Sequence, residues 1–284
     1  MAVRLILVLA SVLAAAGPAY GQNFLDLVTR ADSLYEQGEY EASGRAFDMA
    51  LELEPGNVVH HYNAACSWSL AGDLDKAFLH LETAIDRGYR NADHLTKDED
   101  LGALQSDPRW EPLVAKCREA EETYLASINR ELYDMFQADQ ADRRGDIDWD
   151  KVAPRDEARR KRAQELIDAD QLKAPDDFVH AAFIFQHGAD STSYRLAHEL
   201  AMRAVALDST YVRARWIAAA AMDRYLHSVG RPQIYGTQLH VINGVWTLEP
   251  IDTTAVSDAE RARWGVPPLA RQRSWAREMN ERNQ

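Results

Sequence analysis

Two aspartates occupy positions where the surrounding pattern calls for an apolar residue. Ile128, Leu132, Met135 and Phe136 recur at helical spacing, and Asp139 falls at the centre of the stripe they make, with Arg143 one turn on. Val212, Trp216 and Ala219 define a second stripe. There Asp223 takes the central position, with Arg224 beside it and His227 one turn on. A buried carboxylate is costly unless it is paired and hydrogen-bonded, so both aspartates are expected to be buried and bonded to Arg or His. Arg143 and Arg224 are the nearest partners. His180 and His187 lie seven residues apart and share one helix face. With Gln238, these residues could line one polar pocket in which a histidine, oriented by an aspartate, serves as a general base near neutral pH. The catalytic candidates are therefore Asp139, His180, His187 and Asp223, and Arg143, Arg224 and Gln238 are candidates for holding a substrate. The competing reading, which we favour on sequence alone, is a set of structural ion pairs joining helices.

Other chemistries find less support. His180, His187 and one Asp offer the nitrogen and oxygen donors that zinc takes. Their spacing, however, puts the two rings about 10 Å apart along a helix axis, so no metal and no other cofactor is expected. There is no Gly-rich phosphate loop and no Gly-x-Ser-x-Gly elbow.

The elements that must position these side chains are mainly helical. Gly145 to Pro154 reads as a loop, followed by a charged helix near 156–168 whose run Arg159-Arg160-Lys161-Arg162 is expected to be a solvated face. Pro175, Asp176 and Asp177 open another helix. Phe178 to Phe185 is apolar on almost every side, which implies burial all round. Residues 193–207 and 211–228 read as a helical hairpin. The period then changes to two. Residues 236–249 alternate around Asn243-Gly244, a strong hairpin signal because both turn residues need positive φ. A two-residue turn pairs Val241 with Trp246 and Leu239 with Leu248, and these four are expected to face the core. Gln238, His240, Thr247 and Glu249 fall on the opposite face.

The first half carries a repeat. Leu34-Tyr35-Glu36-Gln37-Gly38-Glu39-Tyr40, leading to Phe47 and Ala50, recurs 34 residues later as Gly72, Leu74, Leu81 and Ala84. That period marks a helix-turn-helix repeat. Gly38 and Gly72 turn the chain, small Ala50, Ala65, Ala77 and Ala84 let helices approach, large Leu34, Phe47, Trp68 and Leu81 fill the space between, and Pro55 follows the second helix. Residues 24–89 resemble the tetratricopeptide repeat family, with Ser43 where a small Ala is usual. Residues 98–113 resemble the closing helices that often follow such repeats. The resemblance implies a groove for a protein or peptide partner. Cys66 and Cys117 both fall in helical patterns, and two cysteines make no disulfide framework at this length.

Residues 123–284 resemble a bacterial domain family of unknown function. The likeness rests on Asp139-Gln140 with Arg143, on Gln186-His187, on Asp223-Arg224, on Gln233-Ile234-Tyr235-Gly236-Thr237-Gln238, and on Pro250, Arg261 and Gly265. The Gln-x-Tyr-Gly-Thr-Gln run is the most specific of these. It adds Gln233, Tyr235 and Thr237 to the substrate-binding candidates, and it brings no activity with it.

Charge and targeting signals bound the role. The chain has 32 basic and 45 acidic residues, a net charge of −13. It lacks the basic footprint of a nucleic-acid binder. Most of the surplus lies in residues 22–122, which hold 21 acidic and 9 basic side chains, so this half should repel anionic partners. Arg4, the apolar stretch Leu5 to Ala16 and Ala19-Tyr20-Gly21 read as a secretory signal with cleavage before Gln22. Twelve residues are too few to span a bilayer, which needs about 20, and no later segment is apolar enough. The sequence thus predicts three parts: a signal peptide (1–21), a tetratricopeptide-like repeat domain (22–120), and a helical domain with one β-hairpin near 237–250 (121–284). The expected protein is exported, to the periplasm or beyond the cell, and binds a protein or peptide through its repeats. The alternative is a hydrolase- or transferase-type enzyme using the Asp/His/Gln cluster.

Overall fold

A computed structural model describes residues 18–282, and side chains from Phe24 onward. Residues 1–17 of the predicted leader therefore lie outside the described residues, while the predicted cleavage site, Ala19-Tyr20-Gly21, falls at the start of the first helix. The protein is mainly α-helical with one small antiparallel hairpin, as its periodicities require, and no helix among the described residues is long and apolar enough to cross a membrane. The described residues divide into two compact units, 18–126 and 127–282.

The N-terminal unit opens with two helical hairpins: α1 (Pro18–Glu36) with α2 (Tyr40–Leu53), and α3 (Val58–Ala71) with α4 (Leu74–Asp86). Gly38 and Gly72 take φ of 79° and 84° at the two turns, a conformation that costs any residue with a Cβ. Asn57 and Asp73 accept backbone N–H groups at the starts of α3 and α4, which satisfies donors the helix leaves open. Trp68 is the largest buried side chain of the unit. Its indole lies against Gly44 so closely that a Cβ there would meet the ring at 2.6 Å, and its Nε1–H donates to Asp48 at 3.1 Å. Ser43, the departure from the usual alanine, is buried and satisfied: its hydroxyl lies 2.8 Å from the Ala31 carbonyl and 3.0 Å from Ser67 Oγ. His60 and His61 are buried packing residues. The His60 ring stacks on Phe47, and His61 Nδ1 lies 3.1 Å from His80 Nδ1, with His80 Nε2 in turn 2.9 Å from Asp48.

The closing segment returns onto these hairpins. It comprises α5 (Ala92–Lys97), a 3₁₀ helix (Glu99–Leu104) and α6 (Trp110–Ser127). Leu95, Leu101, Leu104, Trp110 and Leu113 join the same core as Trp68 and Leu81. The hydroxyls of Tyr35 on α1 and Tyr62 on α3 donate to Asp100 (2.5 Å) and Asp98 (2.7 Å). The surface that these first helices offer at Tyr35 and Tyr62 is thus taken up by the chain's own residues 98–104. Cys66 and Cys117 are buried free thiols.

The C-terminal unit is built around α9 (Pro175–Gln186), which is buried from Asp177 to Gln186. It packs against α7 (Arg130–Ala141), α8 (Trp149–Asp168), α10 (Ser191–Leu207) and α11 (Val212–Ser228). Ala197, Ala201 and Ala204 of α10 and Ala214, Ala218 and Ala221 of α11 are fully buried, and their small side chains let these two helices pack closely. The predicted loop before α8 is shorter than expected. The helix starts at Trp149 and carries Pro154 inside it, which removes one backbone hydrogen bond. The run Arg159–Arg162 is also more than a solvated face: Arg159 bridges Asp142 and Asp156, and Arg160 donates to the His187 carbonyl.

The hairpin pairs β1 (His240–Ile242) with β2 (Val245–Thr247) in the expected register, Val241 opposite Trp246. Asn243 and Gly244 take φ of 50° and 81°. The expected core face is only half realised. Leu248 is buried, but Val241 is 52% exposed, as are Ile242 and Val245 to a similar degree. Each strand is three residues long and its tip runs past the body that would cover it, so both faces meet solvent there. The base is held by α13 (Leu269–Arg282), whose Asn280 amide bonds both the N–H (2.7 Å) and the carbonyl (3.0 Å) of Trp246. The short α12 (Asp258–Arg263) lies between.

Candidate functional site

The polar residues singled out by pattern assemble in two places, both within the C-terminal unit. The first lies where α7, α8 and the end of α9 meet. Asp139 is fully buried, and its carboxylate accepts from Arg143 Nη1 (2.9 Å), the Gln140 amide (2.8 Å) and His187 Nδ1 (2.9 Å). Arg143 also reaches Asp156, a buried carboxylate on α8 that no pattern singled out. His187 caps the end of α9, a position that puts its ring beyond the helix and over α7. A carboxylate only accepts, so Nδ1 carries the proton and Nε2 presents its lone pair. Nε2 has no hydrogen-bond partner among the described residues, and the side chain stays 12% exposed. Burial holds the His187 pKa below its ordinary value against the pull of Asp139. The ring is therefore neutral at pH 7.

Cations surround this histidine. Arg143 and Arg224 both act electrostatically on it. Arg224 Nη1 donates to the Gln186 carbonyl (3.1 Å), and Arg160 Nη1 to that of His187 (3.1 Å). Neither Arg160 nor Arg224 is paired with a carboxylate among the described residues. Burial lowers the Arg224 pKa, opposed by the Tyr194 hydroxyl.

The second place is the Gln-x-Tyr-Gly-Thr-Gln loop, and Asp223 is its organiser. The expectation that Asp223 pairs with an arginine is corrected. Its Oδ1 accepts the backbone N–H of Ile234 (2.8 Å) and Tyr235 (3.0 Å), and its Oδ2 accepts the Thr237 N–H (2.9 Å) and hydroxyl (2.8 Å). Arg224 points elsewhere, to Gln186. The buried Gln233 side chain works like a strand edge, accepting the Gln238 N–H and donating to the Gln238 and Leu248 carbonyls. The buried Arg261 guanidinium donates to the carbonyls of Ile234, Tyr235 and Val256. Gly236, with φ of 84°, lets the loop turn under Ile251 and Gln272. Gln238 turns toward α11, its amide 2.9 Å from Thr237 Oγ1 and 3.4 Å from the Ala220 carbonyl.

His180 belongs to neither place. Its ring stacks on Phe136 and meets Tyr133 edge-on, and burial pushes its pKa down to about 3. It shares the face of His187, since both look toward α7, but its environment is core. No group of His180, His187 and an aspartate among the described residues is placed to hold a metal ion. Asp177, read from the sequence only as a helix start, is a fourth buried carboxylate and, like Asp223, is spent on backbone: it accepts the N–H groups of Asn129, Lys173 and Ala174.

All of these residues lie in one matched stretch. Residues 126–277 match a family of unknown function, DUF6624. The chain belongs to this family. No curated protein matches the chain. Within DUF6624, then, the Gln-x-Tyr-Gly-Thr-Gln motif has a structural explanation here, as a loop tied down by Asp223, Gln233 and Arg261. The Asp139–His187 pair has none that uses Nε2.

Proposed function

We propose that the DUF6624 unit carries the activity and that His187 is its general base, for hydrolysis or group transfer on an anionic substrate. One observation carries this reading: the Asp139 carboxylate fixes the proton on Nδ1 and leaves the Nε2 lone pair of a neutral ring without a partner. An oriented base of this kind takes a proton from a water or hydroxyl nucleophile, and Asp139 then stabilises the imidazolium that forms. Arg160 and Arg224, which lack carboxylate partners, favour a negatively charged substrate. Asp139 and Arg143 are positioning residues. Asp223, Gln233, Tyr235, Thr237 and Gln238 build the neighbouring loop.

The N-terminal unit supports this role as a tetratricopeptide-like scaffold, on the strength of its 34-residue period and glycine turns. Binding of a peptide at its Tyr35 and Tyr62 surface would require residues 98–104 to leave. The Arg4, apolar and Ala-Tyr-Gly pattern supports export of the protein to the periplasm or beyond.

Diethyl pyrocarbonate, which acylates unprotonated imidazole, tests the assignment. At pH 7 His187 should be modified and the buried His180 should not, as read by mass spectrometry of proteolytic fragments. Inorganic phosphate, as a simple anion, should slow the His187 reaction severalfold. An unreactive His187, or one that phosphate does not protect, would overturn the reading.

A further inference from the structure

Behind the Gly236-Thr237 turn lies a cavity of about 110 Å³, lined by Trp216, Leu239, Val266, Pro267, Trp275 and Gln272 as well as the turn itself. Its walls are almost wholly apolar, and it uses none of the residues assigned above to proton transfer. One polar atom stands out. Gln272 is only 3% exposed. Its Nε2 donates to the Tyr235 (3.0 Å) and Pro267 (2.9 Å) carbonyls. Carbonyls only accept, so the amide cannot be turned over without setting oxygen against oxygen. Its Oε1, 3.3 Å from where a Cβ on Gly236 would lie, accepts no hydrogen bond among the described residues, whose bonds to Gln272 go to Nε2 alone.

We propose that this cavity binds a small planar apolar molecule with one hydrogen-bond donor. The ring lies among Trp216, Leu239, Val266 and Trp275, and its donor reaches Gln272 Oε1. The volume limits the occupant to a single small ring, since it is below the roughly 150 Å³ of an apolar cavity that holds benzene. The walls set the chemistry, since indoles and aliphatic groups favour an apolar ring. The unpaired acceptor sets the polarity, since filling the cavity without answering it leaves Oε1 desolvated. Trp216 and Trp275 are partly exposed and give the molecule an entrance.

Phenol, anisole and benzene are matched probes for the full-length protein, read by quenching of indole fluorescence and by ligand-observed NMR. Phenol should bind, and anisole and benzene should bind about tenfold more weakly, the worth of one buried hydrogen bond. Leu239→Phe, which fills the space, should abolish phenol binding while keeping the melting profile. No phenol binding up to its solubility limit would overturn the proposal. So would equal affinity for phenol and anisole, or unchanged binding by a folded Leu239→Phe variant. The three-ligand comparison on the unaltered protein holds even if that variant fails to fold.

Discussion

Asp223→Asn is expected to destabilise the C-terminal unit by about 3–5 kcal/mol. The carboxylate offers two oxygens to four donors, the N–H groups of Ile234, Tyr235 and Thr237 and the Thr237 hydroxyl. An asparagine keeps one oxygen. Its NH₂ must then face either the Ile234 and Tyr235 pair or the Thr237 pair, donor against donor. Two buried donors lose their acceptor, at about 1–3 kcal/mol each, and the residual repulsion adds to this. Urea unfolding followed by circular dichroism checks it. A loss below about 1 kcal/mol would mean that the loop is held by Gln233 and Arg261 alone. The substitution keeps the shape but removes the charge and turns one acceptor into a donor. It therefore distinguishes an organiser of the loop, which costs stability, from a group that acts on a substrate, which would cost activity instead.

Trp68→Ala should cost about 3–5 kcal/mol in the N-terminal unit, the range for deleting a fully buried indole. The side chain fills the space between α2 and α3, and Gly44 exists in a form that admits nothing but the ring. Its loss also strips Asp48 of the Trp68 Nε1–H, leaving that carboxylate to His80. Denaturant titration of the full chain gives the number. A cost below about 1 kcal/mol would place Trp68 outside the packing role.

How much of this was legible in the sequence depends on what kind of partner each residue uses. Helices, glycine turns and the Asn243-Gly244 turn are written in side chains, and they read directly. The burial of Asp139 and Asp223 read directly too, since a carboxylate in the middle of an apolar stripe has nowhere else to go. Asp139 found partners that pattern can point to, Arg143 one turn on and His187 on the next buried helix. Asp223 did not. It bonds backbone N–H groups 11 to 14 residues downstream, and every residue but proline has such a group, so no letter marks it. The backbone bonds of Asp177 escaped notice for the same reason. His180 and His187 were indistinguishable because periodicity gives a face and not a depth. One ring ends in the core and the other at a helix end with a free nitrogen. The hairpin shows the same limit: alternation separates Val241 and Trp246 from His240 and Thr247, but nothing local says that no neighbouring element reaches the tip. Arg261 and Gln272 serve carbonyls of distant loops, and those contacts exist only once the chain is folded.

The central claim is that His187 holds a neutral ring with its proton on Nδ1 and its lone pair on Nε2. Histidine-selective ¹⁵N NMR of the ring nitrogens reads this directly. At pH 7 the His187 spectrum should show a protonated Nδ1 and an unprotonated Nε2, with the charged form's midpoint below the ordinary histidine pKa of about 6.5. Asp139→Asn should shift the balance toward the other tautomer. A His187 ring protonated on Nε2, or already charged at pH 7, would contradict the account.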